Sequence, residues 1–547
     1  MFERVSRRLV SLASPGISGS ELMLGTDLNR DPVYLSGTVV PSVTFASAML
    51  TLGKVVKLRK PEPKDHSVYQ KWVFGEYLRI LQKKMPEYFA EKSPEELRLA
   101  ESILRRDQLL SDLGPVFKIA RRKLHLYRKW LRDHDWESGR ALGLLDPIVS
   151  VQRDGTFFEA FSGDESMYAR VFLPHSQLVA VDEPTLGTTN IDFSALMERE
   201  FDRVRSYRPM NLKVGLKSVD FTTEAATVQE EKIPLPETWV RGLVEIQSVL
   251  SLSPIEFELS ADALSAVIAK LKSEREKTGP RSLKFFLEPG KPIQIEIEPW
   301  GHVFTDAWFT YNGNEPSEIR VWGRRRLLVL EDLLRTTDKV KVSLLGSGMP
   351  SFWTVIKDEV ELTIGLSGWS SNDWSSKARF SAFIPVDNVE PEQTEQLLEL
   401  LKSNGSLSTN EASQLSGLSL QSVASALQKL CLQGKAMFDS ERQVYRWRDL
   451  FPTFDLYEEN ESSREMVAAR ELVAAKKIKK TKDEAIDAIR YLEASVDDVN
   501  GTYAPILQMD LDYRPKFAQC NCPFFKYNKL KQGPCRHLIS LSMTGSF

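Results

Sequence analysis

Hydrophobic residues recur along this chain with two different periods, and the period changes where new structural segments are predicted. Between residues 67 and 136, apolar residues such as Trp72 and Leu81 follow helical spacing. Short apolar runs bounded by turn residues then predict strands, the first two at Ile148–Val151 and Phe157–Phe161. Predicted helices and strands alternate through the middle of the chain, which indicates an α+β region.

The segment 389–450 has the hydrophobic pattern of a winged helix-turn-helix. A first helix is predicted from Pro391, and Ser408 with Glu411 three residues later forms a capping box that opens a second helix. Ser419 is placed to cap a third helix, and two short apolar runs after it predict the hairpin of the wing. Three helices followed by a hairpin are typical of the winged-helix fold.

The third helix and the wing of this segment carry the residues that would read a DNA duplex. Gln421 and Gln428 on the helix could hydrogen-bond adenine, and Arg442 in the wing could enter a groove. The segment has six basic and eight acidic residues, a net charge of −2, whereas phosphate contacts normally supply most of the affinity for DNA. Duplex reading and a role in protein contacts or spacing therefore both stay open.

These changes of pattern predict an α+β multidomain protein with a helical and mixed α/β N-terminal region. Its length of 547 residues exceeds what one hydrophobic core supports. The predicted segments are an N-terminal domain with a helical segment at 1–145, a β-rich domain at 146–235, an α+β domain at 236–388, the winged helix at 389–450, a helical linker at 451–500 and a C-terminal module at 501–547.

The overall charge and the apolar runs restrict the environment of the chain. Its 72 Lys/Arg and 75 Asp/Glu give a net charge of −3, so no global basic field attracts it to nucleic acid or to membranes. The longest apolar stretch, Val39–Val56, is interrupted by Pro41 and Lys54 and is not a membrane-spanning pattern. Few cysteines and the absence of a sustained apolar run at the start lead us to expect a cytoplasmic protein.

Four candidate metal ligands are concentrated near the end of the sequence. Cys520 and Cys522 form a C-x-C pair, and after twelve intervening residues Cys535 and His537 form a C-x-H pair. Three thiols and one imidazole are donors that tetrahedral structural Zn²⁺ takes. A disulfide framework is disfavoured, because three cysteines leave one unpaired and neighbours in a C-x-C motif pair poorly. The spacing therefore predicts Zn²⁺ in a small ββα unit that the ion helps to fold.

This arrangement resembles the SWIM zinc finger, a C-x-C…C-x-H module, and the four ligands match its metal-binding positions. Pro523 after the second cysteine and Leu538 after the histidine also fit the neighbouring positions. The layout of a long N-terminal part, a winged helix and a terminal finger resembles bacterial SWIM zinc-finger family proteins. That resemblance implies a non-enzymatic binding or adaptor component, often encoded with an AAA+ ATPase and von Willebrand A partners.

The predicted finger is more basic than the rest of the chain. Residues 501–547 contain six Lys/Arg and two Asp, and the loop 524–529 alternates aromatic with cationic side chains. Such a mixture stacks bases and contacts phosphates, although aromatic residues packed over the zinc with solvated lysines would give the same pattern. The candidate nucleic-acid contacts of the finger are Lys526, Lys529, Lys531 and Arg536.

Three functional hypotheses follow from these motifs. The first is a zinc-binding adaptor without catalytic residues that contacts DNA or RNA, a partner protein, or both. The second is a Mutator-like transposase, which also ends in a SWIM finger but needs three carboxylates in an RNase-H-like sheet. Asp164 and Glu165 are the nearest candidates for acid–base chemistry, yet no His or Lys falls at a telling spacing. The third is a protein–protein scaffold that ignores nucleic acid.

Overall fold

A computed structural model describes most of the chain. The described residues are 33–58, 147–179, 181–191, 195–207, 210–215, 218–223, 227–231, 237–276, 280–368, 374, 390–450, 464–486, 489–510, 514–530 and 533–544. The predicted helices of 67–136 lie outside these residues.

The larger part of the structure, up to residue 366, consists of antiparallel strands with a few helices. The strands are β1 Leu35–Val39, β2 Ile148–Val151, β3 Gly155–Phe161, β4 Met167–Pro174, β5 Leu178–Val179, β6 Gly187–Asn190, β7 Met210–Val214, β8 Ser218–Thr222, β9 Thr227–Glu231, β10 Ile255–Ser260, β11 Leu283–Leu287, β12 Pro292–Ile297, β13 His302–Thr310, β14 Ser317–Val321, β15 Lys339–Leu344, β16 Ser351–Lys357 and β17 Val360–Leu366. The helices are α1 Ser42–Lys57, α2 Ala195–Arg203, α3 Glu237–Leu250, α4 Ala261–Ser273 and the single turn α5 Glu331–Leu334.

These strands form three sheets. One has five strands in the order β5-β1-β7-β8-β9, another has eight in the order β10-β15-β16-β17-β4-β3-β2-β6, and the third has four in the order β13-β12-β11-β14. In the eight-stranded sheet β17 pairs with β4, with Leu362 opposite Val171. Strands from both sides of the predicted boundary between residues 235 and 236 therefore lie in one sheet.

Helix α1 covers β3, β4 and β17 of the eight-stranded sheet. Its apolar side is buried, and the ring of Phe45 lies 5.5 Å from that of Phe158 on β3. Every residue of β3 is buried, as expected for a central strand with both faces covered. The core of this region is continuous over the three sheets.

The segment Pro391–Trp447 forms three helices and a small sheet, and we call it the helix–hairpin segment. Its elements are α6 Pro391–Asn404, α7 Thr409–Ser416, α8 Leu420–Leu432, β18 Ser406–Leu407, β19 Ala436–Asp439 and β20 Val444–Trp447. The capping box of Ser408 and Glu411 is present at the start of α7. Gly417 ends that helix at a φ of 72°, a conformation that glycine adopts without the steric cost of a Cβ.

Ion pairs made by two buried arginines attach the hairpin of this segment to the eight-stranded sheet. The guanidinium of Arg446 donates to both carboxylate oxygens of Asp154, at 2.6 and 2.8 Å, and also to Asp439 at 3.0 Å. Arg448, which follows β20, donates to Glu159 on β3 at 2.6 Å, and both side chains are fully buried. The hairpin is therefore part of the packed structure and is not a projecting wing.

The C-terminal residues form a five-stranded sheet and three helices. The elements are α9 Arg464–Ala474, β21 Ile478–Ile486, β22 Ile489–Asp498, β23 Gly501–Tyr503, β24 Ile506–Asp510, β25 Pro515–Gln519, α10 Pro523–Asn528 and α11 Arg536–Thr544. The strand order is β21-β22-β24-β25, and β23 pairs with β22. We call this sheet the C-terminal sheet.

This part of the structure corrects the expectation of a helical linker at 451–500. Only α9 is helical among its described residues, and 478–486 and 489–498 are strands. The physical reason is visible on β22, where Leu492, Ala494 and Val496 alternate with more exposed residues and are buried against α11. The alternation of buried and exposed residues with a period of two makes this segment a strand. The lysine-rich sequence 476–482 before it made that alternation hard to recognise in the sequence.

Among the described residues, no helix is both long enough and apolar enough to cross a membrane.

Candidate metal centre

The four predicted ligands are brought together by the end of a strand and the starts of two helices. Cys520 directly follows β25, and Cys522 is the N-cap of α10, where its sulfur accepts a hydrogen bond from the backbone N–H of Phe525 at 3.4 Å. Cys535 precedes α11, and His537 lies in the first turn of that helix. The turn between the first two cysteines is held by Asn521, whose Oδ1 accepts from the backbone N–H of Ala504 at 2.8 Å.

The ligand atoms have the separations that a tetrahedral metal site requires. All four lie within 4.8 Å of one another, and the residues are buried. The Sγ of Cys520 is 3.9 Å from Nδ1 of His537. Donors placed tetrahedrally about Zn²⁺ at its usual bond lengths are about 3.5–4 Å apart. Within the described part of the chain this is the one cluster of three or more such residues, and its Cys₃His set fits Zn²⁺.

A carboxylate outside the motif orients the histidine ligand. His537 Nε2 lies 3.1 Å from Oδ2 of Asp498 at the end of β22, and a carboxylate can only accept this hydrogen bond. The Nε2 atom therefore carries the proton, which leaves Nδ1 free to face the three sulfurs. The ring of Tyr503 lies 4.5 Å from the imidazole and restricts its rotation. This arrangement fixes the tautomer that a metal ligand needs.

Asp498 is held in its ionised form by its surroundings. Burial raises the pKa of its carboxyl group, but the hydrogen bonds from the backbone of Val499 and from His537 outweigh burial and lower the pKa overall. The guanidinium of Arg536, 4.0 Å away, acts in the same direction. An ionised carboxylate is the stronger acceptor for the imidazole N–H.

Of the predicted nucleic-acid contacts of the finger, some are exposed and one forms an ion pair within the protein. Lys526 and Lys529 are exposed, and the ammonium of Lys529 lies 5.4 Å from the ring centroid of Phe525. Arg536 is engaged, since its guanidinium donates to Glu465 on α9 at 2.8 and 3.2 Å. Lys531 lies outside the described residues. The stretch 524–529 was expected as a loop, but all of it except Lys529 lies in the helix α10, because Pro523 occupies the first turn of the helix and Cys522 caps it.

The helix–hairpin segment presents little of its expected reading surface. Gln428 is buried and donates from Nε2 to the hydroxyl of Tyr445 at 2.6 Å. Arg442 donates to Glu361 of β17 at 2.6 Å and lies 4.0 Å from the ring centroid of Phe172. Gln421 remains partly exposed. The expected exposure of Gln428 and Arg442 is therefore corrected: Gln428 contacts the hairpin of its own segment, and Arg442 contacts the eight-stranded sheet.

Sequence reasoning missed Asp498 and the carboxylates that receive the arginines of the hairpin. Asp498 is 39 residues from His537, and Asp154 is 292 residues from Arg446. Neither separation belongs to a local motif. The one signal in the sequence is the position of Asp498 at the end of an alternating strand, next to the turn residues Asn500 and Gly501.

Comparisons with solved structures give weak similarity to several PCNA structures. Proliferating Cellular Nuclear Antigen from Entamoeba histolytica is 12% identical with a TM-score of 0.31, over 42% of this chain and 90% of that chain. PCNA from Thermococcus kodakaraensis is 13% identical with a TM-score of 0.30, over 41% and 90%. PCNA of A. fulgidus, bound to a FEN-1 peptide region, is 13% identical with a TM-score of 0.32, over 42% and 91%. Similarity at this level supports no conclusion about fold or function.

A comparison with curated proteins finds no match to this sequence. A protein-family model does match the C-terminal part, over residues 507–544, and its description is SWIM zinc finger. The matched range contains all four ligands of the buried cluster. The C-terminal residues of this chain are therefore a SWIM zinc finger whose Cys₃His site fits Zn²⁺.

Proposed function

We propose that this protein is a non-enzymatic, zinc-stabilised adaptor whose C-terminal finger contacts nucleic acid. The observation that carries the proposal is the double role of Cys522, a metal ligand that also caps α10. This helix carries the exposed Lys526 and Tyr527, the latter with 85% of its surface accessible. A metal ion bound by Cys522 would fix the N-terminal end of α10. Zinc binding would therefore also fix the positions of Lys526 and Tyr527 on the surface.

The charge of the finger surface supports a polyanionic ligand. Lys516, Lys526 and Lys529 are exposed, and none of them forms an ion pair with a described residue. A lysine without a carboxylate partner can neutralise a phosphate without first losing an internal ion pair. The exposed ring of Tyr527 beside Lys526 adds a surface for base stacking.

We further propose that the helix–hairpin segment is a winged helix used for internal packing and not for reading a duplex. Its hairpin is attached to the eight-stranded sheet by Arg446 and Arg442, and Gln152 of that sheet region donates to the backbone carbonyl of Trp447 at 2.8 Å. Residues committed to such contacts are not available to base edges. Its role would be to fix the finger relative to the rest of the chain.

The absence of catalysis is part of the proposal. The carboxylate of Asp164 accepts from the hydroxyls of Ser162 and Ser166 and pairs with Arg326 at 2.9 Å, which is a turn-stabilising arrangement. The transposase alternative requires DNA cleavage with Mg²⁺ or Mn²⁺, and the adaptor must show none. A cytoplasmic location and an AAA+ ATPase or von Willebrand A partner remain expectations from the family resemblance.

Nucleic-acid binding by the zinc-loaded protein across a salt series tests the proposal. We expect affinity that falls steeply with salt, that is lost in Cys520→Ser, and that is weakened in Lys526→Ala/Lys529→Ala. Lys402→Ala/Lys435→Ala, in the helix–hairpin segment, is the matched control with the same loss of charge. Absence of binding at low salt, with zinc present by elemental analysis, would leave a zinc-stabilised protein scaffold.

A further inference from the structure

The C-terminal sheet has one buried face, and the residues on its other face are partly or largely exposed. Leu492, Val496, Leu507 and Met509 are buried, and the residues that alternate with them on β22 and β24 are partly exposed. Successive side chains of a strand point to opposite faces, so these partly exposed residues share one side of the sheet. We call this side the outer face.

Two aromatic residues lie in one row across the outer face. Tyr491 on β22 is opposite Gln508 on β24, and Gln508 is opposite Phe517 on β25. Tyr491 is partly exposed, and 43% of the surface of Phe517 is accessible although it lies in a strand. Strands two positions apart in a sheet are about 10 Å apart, so the two rings flank a polar side chain and stand as separate stacking surfaces.

Lysines adjoin both aromatic residues. The ammonium of Lys482 lies 5.2 Å from the ring centroid of Tyr491, a cation–π contact. Lys479 is on the same face, opposite Ser495, and Lys516 is exposed at the β-bulge next to Phe517. Neither Lys479 nor Lys516 forms an ion pair with a described residue.

Two carboxylates share this side of the sheet with the lysines. Glu484 lies opposite Tyr491 and pairs with Lys482 at 3.7 Å, and Glu493 lies opposite Lys482. The β21 end of the aromatic row is therefore Glu484, and the cations of β21, Lys482 and Lys479, lie further along that strand, opposite Glu493 and Ser495. At the other end of the row, Lys516 adjoins Phe517 on β25. A phosphate backbone that crosses the sheet diagonally, from Lys516 past the rings of Phe517 and Tyr491, would reach Lys482 and then Lys479.

We propose that the outer face is a stacking platform for single-stranded nucleic acid, with bases on Tyr491 and Phe517 and phosphates at Lys479, Lys482 and Lys516. This inference rests on the nucleic-acid contact proposed above and adds a surface and a ligand class to it. Flat rings on an open sheet can stack only on bases that are not already paired and stacked in a duplex. The chemistry therefore selects single strands, and it is shared by RNA and DNA.

Competition between oligonucleotides tests this inference on the full-length, zinc-loaded protein. We expect poly(dT) and poly(U) oligonucleotides of matched length to bind more tightly than a duplex of the same length. Tyr491→Ala and Phe517→Ala should each weaken single-strand binding about 5- to 100-fold, whereas Tyr491→Phe should retain it because the ring remains. Trp308→Ala, which removes an aromatic residue with 74% of its surface accessible from another sheet, should have no effect.

Zinc content and the unfolding midpoint are measured for each variant, so that a misfolded variant is recognised. If Tyr491→Ala is misfolded, the binding of Tyr491→Phe still tests whether the aromatic ring at this position is sufficient. If the native protein binds single strands and both Tyr491→Ala and Phe517→Ala bind them equally well, the proposed stacking platform is wrong, while the proposed contact through the finger stands. If the native protein binds no nucleic acid at low salt, both proposals fail. Preference for poly(U) over poly(dT), or the reverse, identifies the natural class.

Discussion

Asp498 accepts the Nε2 hydrogen of His537 at 3.1 Å and thereby assigns Nδ1 of the imidazole to the metal. The carboxylate comes from the end of β22, whereas the four ligands come from residues 520–537. The zinc site is consequently tied to the strand before the matched SWIM range, and the C-terminal sheet and the finger form one structural unit.

Removal of this carboxylate should weaken zinc binding without removing a ligand. We expect Asp498→Ala to lower zinc affinity about 10- to 100-fold, because the imidazole loses the partner that fixes its tautomer and orientation. Competition with a chromophoric chelator measures the change. Asp497→Ala is the matched control, because the carboxylate of Asp497 is exposed and accepts a hydrogen bond from Thr502, not from His537. Equal affinities of the two variants would contradict the assigned role.

The four cysteines should separate into two classes when the metal is removed. Burial raises the pKa of the Cys431 thiol to about 12, so it remains protonated and unreactive at neutral pH. The other three thiols lose the ion that protects them. We expect iodoacetamide to leave the zinc-loaded protein unmodified, to add three groups after chelation and to add the fourth only in denaturant, as intact-mass spectrometry would show. Alkylation of Cys431 before the other three would contradict this assignment.

Local signals account for the parts of the structure that the sequence predicted well. The capping box at Ser408 and the positive φ of Gly417 involve residues a few positions apart, and α7 begins and ends where they indicate. The C-x-C and C-x-H spacings are also local, and the metal cluster forms from them. Motifs of this kind act through short-range sterics and hydrogen bonds, which any copy of the motif reproduces.

Pairings between distant segments account for what the sequence did not show. Gln428 and Arg442 were predicted on an exposed surface, but Gln428 bonds Tyr445 of the hairpin, and Arg442 contacts β4 and β17 where the hairpin packs on the sheet. That packing depends on Asp154, Glu159 and Glu361, and nothing in the local sequence links these carboxylates to the hairpin. Sheet order has the same origin, since β10 and β6 form opposite edges of one sheet.

The buried carboxylate of Asp439 should make the stability of the protein depend on acid pH. Burial raises the pKa of Asp439, but the guanidinium groups of Arg170, Arg446 and Arg442 outweigh burial and lower it overall. Its carboxylate therefore stabilises the folded state above about pH 4, where the unfolded chain is ionised, and this stabilisation is lost as the pH falls through the lower folded-state pKa.

Substitution of Asp439 by asparagine tests this dependence. At neutral pH we expect Asp439→Asn to lower the apparent free energy of unfolding by about 3–5 kcal/mol, because three guanidinium groups lose their buried partner. The difference from the native protein should shrink in acid, where the native carboxylate is protonated as well. Asp483→Asn, in an ion pair with Arg490 nearer the surface, should cost no more than about 1 kcal/mol. A pH-independent difference for Asp439→Asn would exclude the ion-pair mechanism.

Arg442 distinguishes a packing role of the hairpin from a reading role. Its guanidinium contacts Glu361 and Asp439 and lies over the ring of Phe172, so Arg442→Ala removes two ion pairs and a cation–π contact within the protein. We expect the unfolding midpoint to fall, by the equivalent of about 1–3 kcal/mol, with nucleic-acid affinity and its salt dependence unchanged. Lys526→Ala should show the opposite behaviour, with an unchanged midpoint and weaker binding, because its exposed ammonium pairs with no described residue. If Arg442→Ala instead weakened duplex binding and reduced its salt slope, the hairpin would have to leave the sheet to bind DNA, and the helix–hairpin segment would be a reader after all.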